Sequence, residues 1–261
     1  MRTIRGKKAL VTGAASGIGR AIALALAREG ATLYLVDIDE SGLAAVSDEI
    51  AGLGAASTTA ICDLSQSDQV EALIRNYHAA NDRLDILVNC AGIGSYGRVE
   101  DLSDEQWRTI LAVNLHAPIQ LIRGFLPMMT AQKESHVLNV CSIAGLVPMR
   151  KSTLYQTSKF GLVGFSFGLQ AEFCGCGLGV TVLCPGIVKT PFIERHIPSK
   201  FERMRYLKGI AWSSPESVAA KAINAIRLNR TLVVTTPLAR GSWWLYRLSP
   251  WLGTLLARSH R

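Results

Sequence analysis

Long hydrophobic runs are what this 261-residue chain most plainly lacks. No stretch of eighteen or more apolar residues is free of charge, which argues against a membrane-spanning helix. The apolar piece behind the basic residues 1–8 is too brief for a secretory signal and has no small-residue cleavage site, so the expected location is the cytoplasm. Cysteine is scarce and badly spaced for ligation. Cys62, Cys90, Cys141 and Cys184 each close an apolar, strand-like run, where a free thiol behaves as a small buried hydrophobe. Cys174 and Cys176 have the wrong spacing for a zinc ribbon, and no second pair follows them. Neither metal nor disulfide is expected. No internal repeat, low-complexity segment or Pro/Gly/Ser-rich linker divides the chain, so residues 1–261 are expected to form a single domain. Acidic charge is missing from one end only: no Asp or Glu follows Glu216. Residues 1–193 carry 16 Lys and Arg against 17 Asp and Glu, and residues 194–261 carry 12 against 3, so the net charge of +8 belongs to the last quarter. No nucleic-acid recognition motif accompanies that charge, and nucleic acid is not an expected partner.

What is present is a rhythm. Apolar runs of strand length at 9–12, 32–36, 58–61, 86–89, 137–140, 180–183 and 232–235 alternate with helix-like segments at 17–28, 40–51, 68–80, 104–129, 154–173 and 216–228. The first six strand runs are continuously apolar rather than alternating, as strands covered on both faces should be. A β-α-β-α repetition of this kind predicts an α/β fold: a doubly wound parallel sheet of about seven strands with helices on both faces and right-handed crossovers.

The first strand runs directly into Thr12-Gly-Ala-Ala-Ser-Gly-Ile-Gly19, and that turn opens an Ala- and Leu-rich helix. Gly13, Gly17 and Gly19 permit a tight turn and close backbone approach to a pyrophosphate, with Ser16 and Ile18 lying between them. The helix N-terminus presents unpaired N–H groups to the phosphates. Because the turn sits between a strand and a helix, the glycine pattern points to a dinucleotide-binding (Rossmann) arrangement. The second strand run ends at Asp37, about twenty residues on, where a carboxylate accepts from both adenosine ribose hydroxyls and repels a 2′-phosphate. Ile38 follows rather than Arg, so NAD is the expected cofactor. A loop-capping carboxylate is the alternative reading of Asp37.

Three further pieces follow in order. Asn89-Cys-Ala-Gly92 closes the fourth strand run, Ser142 follows the fifth, and Tyr155 and Lys159 stand one turn apart on a helix face. With these residues the chain resembles the short-chain dehydrogenase/reductase family over about residues 5–235; Cys90 departs from the pattern, in which many members carry a second Asn. The resemblance implies hydride transfer between NAD(H) and an alcohol or ketone. Tyr155 would be the acid/base, Lys159 would lower its pKa and hold the nicotinamide ribose, and Ser142 would hold the substrate oxygen. Asn114 would hold a water that relays protons to Lys159, the alternative being a helix asparagine bonded within the core. Asp63 and Leu64 would meet the adenine; Ala91 and Gly92 would pass close to the cofactor, with Asn89 bracing the sheet beside it. Pro185, Gly186, Val188 and Thr190 would hold the nicotinamide. A free tyrosine titrates near 10, and lowering it by about three units needs roughly 4 kcal/mol of differential stabilisation, for which the Lys159 ammonium together with the positive oxidised nicotinamide is the expected source.

The stretch 190–214 lies where this family keeps a substrate lid, and Phe192, Ile197, Phe201, Met204, Tyr206 and Trp212 make it apolar. That suits a lipophilic alcohol or carbonyl substrate; packing of the lid onto the fold accounts for it equally. The basic, Trp- and Leu-rich extension 237–261 resembles an interfacial segment resting on an anionic membrane. A subunit contact or a cover over the substrate mouth are its alternatives. The resemblance implies a homodimer or homotetramer through the helices that carry Asn114 and Tyr155. Two other functions compete: an acyl-carrier-type 3-oxoacyl reductase whose basic quarter docks an acidic carrier, weakened by Asp37, and a non-catalytic NAD(H)-binding sensor or scaffold, weakened by the intact set of four catalytic candidates.

Overall fold

The computed structural model describes residues 1–196, 212–251 and 254. The chain alternates strand and helix from the start: β1 (Lys8–Thr12), α1 (Gly17–Arg28), β2 (Thr32–Asp37), α2 (Glu40–Gly52), β3 (Ser57–Ile61), α3 (Ser67–Ala80) and β4 (Ile86–Asn89). A broken helix follows, made of α4 (Asp104–Leu111), a π turn (Ala112–His116) and α5 (Ala117–Thr130). Then come β5 (Ser135–Val140), α6 (Thr153–Glu172) and β6 (Leu178–Cys184). The rest comprises β7 (Ile187–Val188), α7 (Pro191–His196), β8 (Trp212–Ser213), α8 (Pro215–Arg227), β9 (Leu232–Val234) and α9 (Pro237–Leu248).

Seven strands make one parallel sheet in the order β3-β2-β1-β4-β5-β6-β9, the doubly wound arrangement read from the alternation. The chain builds outward from β1 in one direction and then returns to build outward in the other, so the topology reverses between β1 and β4. Ligands of such sheets bind at that reversal, beyond the strands' carboxyl ends. One face is covered by α1, α2 and α8, which bury Ile22, Leu26, Val46, Ile50, Val218 and Ile226 against Val11, Leu35 and Val88. The other is covered by α3, α5 and α6, which bury Leu73, Tyr77, Phe125, Met129 and Leu169 against Leu10, Leu87 and Val137. Each such side chain contributes about 1.5–3 kcal/mol on leaving water.

β4, β5 and β6 are buried along their whole length. β3 departs from the expectation of a continuously covered strand: it is the sheet's edge, and Thr58, Thr59 and Ile61 are exposed. The helical stretch Asp104–Thr130 is long and apolar enough by composition to cross a bilayer. Leu121, Ile122, Phe125 and Met129 are fully buried against the sheet, so it serves here as a core helix. The helix expected over 104–129 is therefore three segments, because the π turn adds a residue to one turn and redirects the side chains around Asn114.

β7 and β8 form a separate two-stranded ribbon beside the end of β6, and neither was expected from the sequence. Only the ends of the lid, α7 and β8, are described; residues 197–211 and the remainder of the extension after Trp251, apart from 254, lie outside the described residues.

Candidate active site

The glycine-rich turn joins β1 to α1 under tight steric constraint. Gly13 and Gly17 have φ of +67° and +55°, where a side chain is strained. A Cβ on Gly19 would lie 2.0 Å from the Gly13 carbonyl oxygen, and one on Gly13 would lie 2.8 Å from the Ala91 backbone. The turn is thus pressed against the segment after β4, which closes the base of the crevice. Ser16 stands exposed at the α1 N-terminus with extended backbone and no side-chain cap, so the first-turn amides face outward. Ile18 packs back onto the core. These features fit a dinucleotide pyrophosphate: backbone donors, no Cβ in the way, and the positive end of a helix.

Thr12, quoted within the motif but given no role from sequence, holds the two sides together. Its hydroxyl accepts from the N–H groups of Cys90 at 3.0 Å and Ala91 at 3.2 Å, and donates to the Val88 carbonyl. Only the pairing of β1 with β4 brings these residues into reach.

Asp37 ends β2 at the expected place, and its carboxylate already has three backbone donors. Oδ1 accepts from Ile38 at 2.8 Å and Asp39 at 3.2 Å; Oδ2 accepts from Ala15 at 3.0 Å. The loop-capping role therefore exists, and it fastens the glycine-rich turn to β2. A carboxylate has about four acceptor positions, which leaves capacity for a ribose hydroxyl. Asp63 caps its own turn, accepting from Ser65 N–H at 2.9 Å, while Leu64 is buried beneath it.

The reacting end is built on β4, β5 and α6. Ser142 lies just past β5 in extended backbone and accepts from Ala144 N–H at 3.1 Å. Its own hydroxyl lies near enough to the Tyr155 phenol to act on its pKa, which it lowers. α6 comes this close because residue 145 is glycine: a Cβ there would lie 2.8 Å from the Lys159 carbonyl oxygen. One turn beyond Tyr155, the buried Lys159 donates from Nζ to the Val140 carbonyl at 3.1 Å and sits 5.8 Å from the Tyr155 ring centroid. Phe192 of α7 also lies against the Tyr155 ring, at 5.8 Å between centroids.

Among the chain's own groups, burial dominates the electrostatics of this pair. It pushes Tyr155 up to about 12, only partly opposed by Ser142. Burial also holds Lys159 below the ordinary lysine range. The physical reason is that both groups leave water together, and Lys159 spends a donor on Val140 rather than on the phenol. Half-buried Cys90 and buried Cys141 and Cys184 stand near the pair as thiols, with Cys90 and Cys141 pushed up to about 12 by desolvation, so they supply no countercharge.

Asn114 is fully buried in the π turn, and its side chain is fully used. Nδ2 donates to the Ile93 carbonyl at 2.8 Å and to Ser158 Oγ at 3.1 Å, and Oδ1 accepts from Ile93 N–H at 2.9 Å. Ser158 in turn donates to the Tyr155 carbonyl. Asn114 therefore pins the Gly92–Ile93 segment to α6 beside Lys159; Ser158, which the sequence reading passed over, is the link. Asn89 braces the sheet through Asn139, which donates to Ser166 on α6. At the far wall, Pro185 accepts from Ile143 N–H, Val188 pairs with Ser213, and Gly186 lies against Thr236. The Thr190 methyl comes within 3.2 Å of where a Gly17 Cβ would be, so this wall reaches the glycine-rich turn.

Comparison with known proteins agrees with this geometry. Residues 7–199 match the family described as short chain dehydrogenase. The Mycobacterium tuberculosis protein named "Probable oxidoreductase EphD" is 33% identical over 252 residues, covering 92% of this chain but 43% of its own length, so the chain spans less than half of that relative. A short-chain dehydrogenase/reductase of Burkholderia phymatum, solved in complex with NAD, superposes with a TM-score of 0.86 at 30% identity, covering 97% of this chain and 96% of its own. A metagenomic short-chain oxidoreductase in complex with NADP gives 0.76 at 32% identity, covering 90% and 98%. The chain belongs to the short-chain dehydrogenase/reductase family of oxidoreductases.

Proposed function

We propose that the chain transfers hydride between NAD(H) and a lipophilic alcohol or ketone. The observation that carries this reading is the meeting of Ser142, Tyr155 and Lys159 at the carboxyl edge of the sheet, beside the reversal between β1 and β4. Gly13, Ser16, Gly17, Ile18 and Gly19 would hold the pyrophosphate, Asp37 the adenosine ribose, Asp63 and Leu64 the adenine, and Lys159 the nicotinamide ribose. Ala91, Gly92, Pro185, Gly186, Val188 and Thr190 would enclose the nicotinamide. That group supplies the hydride acceptor or donor and, when oxidised, a positive charge.

The chain's own groups handle the proton. The hydroxyls of Ser142 and Tyr155 converge on one point, where a substrate oxygen accepts from both and is held for reaction. Tyr155 Oη gives its proton to that oxygen in carbonyl reduction and takes it back in alcohol oxidation. With the phenol pushed up to about 12, its protonated, donating form predominates at neutral pH. Asn114 acts as a positioning residue for Gly92 and Ile93, through its amide bonds to the Ile93 backbone. Favouring NAD is the charge of Asp37, which opposes a 2′-phosphate. Favouring a lipophilic substrate are Phe192, which lies against Tyr155, and the apolar cluster of Leu146 with Ile143 and Val147 on the segment after Ser142. Exposed Phe160, Gly164, Phe167 and Gly168 along one side of α6 support self-association through that helix.

The test is a panel of ketones and secondary alcohols of rising chain length, offered with NADH or NADPH (NAD or NADP for oxidation) and read by cofactor absorbance. Turnover that prefers NADH and increases with chain length is expected. Binding of NADH without turnover of any member of the panel would overturn the enzymatic reading, and preference for NADPH would overturn the cofactor assignment.

A further inference from the structure

α9 is built inside out for a surface helix. Its inward side is occupied: Ala239 is buried, and Trp243 packs against the core cluster that contains Leu162, Val182 and Val234. A helix anchored in this way ordinarily turns a polar side to water. Here the opposite side carries Leu238, Trp244, Leu245 and Leu248, which helical winding brings together over about a third of the circumference. Leu248 is 78% exposed, and Trp251, after the break at Ser249, is 73% exposed. Arg240 and Arg247, seven residues apart, run along one margin of this apolar side. Both are steadied there: Arg247 lies over the Trp243 ring at 5.7 Å, and Arg240 donates to the Val234 carbonyl.

We infer that the outer face of α9 docks the protein on an anionic lipid surface, with Trp244, Leu245 and Leu248 entering the headgroup–acyl boundary and the arginines meeting lipid phosphates. Charge decides between lipid and a second copy of the chain. A twofold contact brings a face against itself, and no Asp or Glu occurs anywhere from residue 217 to 261, so such a contact offers the arginines no countercharge. An anionic leaflet supplies it, and Trp with Arg beside a leucine face is the composition of an interfacial helix. Docking also has a defined direction. Thr236, the α9 N-cap, and Ala239 lie against Gly186, so the helix starts at the rim of the crevice and seats that rim towards the bilayer. The docking does not depend on the NAD(H) reading, and its test reads binding alone.

Full-length protein is floated with phosphatidylcholine vesicles, with and without phosphatidylglycerol. Expected is co-flotation only with the anionic vesicles, weakened by salt. The double variant Arg240→Gln/Arg247→Gln should lose at least about tenfold in vesicle affinity. Trp244→Glu/Leu248→Glu should abolish flotation while NADH binding and the thermal midpoint remain. Equal flotation of the wild type and both variants, or no flotation of the wild type, overturns the inference. So does an oligomer that the Trp244→Glu/Leu248→Glu variant splits while vesicles have no effect, because the face then belongs to a second copy.

Discussion

The two halves of the crevice are built from different materials. The half formed by β1, α1 and β2 is made of backbone: positive-φ glycines, outward amides and a carboxylate fastened to three N–H groups. The half formed by β4, β5 and α6 is made of side chains that are buried together and hydrogen-bonded across elements, as in Asn114–Ser158 and Asn89–Asn139–Ser166. On the proposed function, the first half would meet a ligand whose charge is fixed, so steric space and amides suffice. The second would move a proton, and there the environment of each group sets its chemistry. Burial accordingly shifts Tyr155 and Lys159, whereas the phosphate-binding turn contains no titrating side chain.

If this division holds, damage to each half has a separate signature. Tyr155→Phe removes the proton carrier and should lower turnover about 10²–10⁴-fold, with NADH affinity measured by calorimetry unchanged. Wild-type oxidation should rise with pH through the alkaline range, up to about tenfold per unit, because the deprotonated phenol is the base and its pKa is raised. Carbonyl reduction, which uses the protonated phenol, should stay level across neutral pH. An oxidation rate that is flat from neutral to alkaline pH would mean that Lys159 or the cofactor restores the acidity that the chain's own groups do not supply.

The opposite signature belongs to Gly19→Ala. Its methyl would meet the Gly13 carbonyl oxygen at 2.0 Å, so the turn must shift at a cost of about 1–3 kcal/mol. NADH affinity and the thermal midpoint should fall together. An unchanged affinity would show that the turn does not carry the dinucleotide. The mildest expected effect is that of Asp37→Asn, which keeps an acceptor for the Ile38 and Asp39 amides but removes the charge and the bond from the Ala15 amide. It should narrow the NADH-over-NADPH preference by roughly tenfold, the size of a ~1.4 kcal/mol like-charge term, in paired titrations. Asp37→Ala is a poorer probe, because it releases the Ile38 and Asp39 amides as well as Ala15.

Much was legible before any coordinates were known, where the determinant lies in neighbouring residues. All seven strands of the main sheet fall within two residues of their apolar runs at either end, because a strand covered on both faces must be apolar throughout. The glycine-rich turn declares itself because its steric demands fall on contiguous positions. Tyr155 and Lys159 share a face because one helical turn separates them. The exposed edge of β3, the ribbon of β7 with β8 and the π turn at Asn114 were not legible, since each depends on a neighbour's position or absence.

By itself, then, the order of residues determined the strand–helix alternation, the glycine-rich turn and the sharing of one helix face by Tyr155 and Lys159, all of which follow from local periodicity and local sterics. Only the tertiary structure decided what Thr12 and Ser158 hold together, that Asp37 fastens a loop, which way burial moves Tyr155, and that the apolar side of α9 points outward. Those properties arise from which distant segments exclude water from one another, and desolvation cannot be read from spacing along the chain.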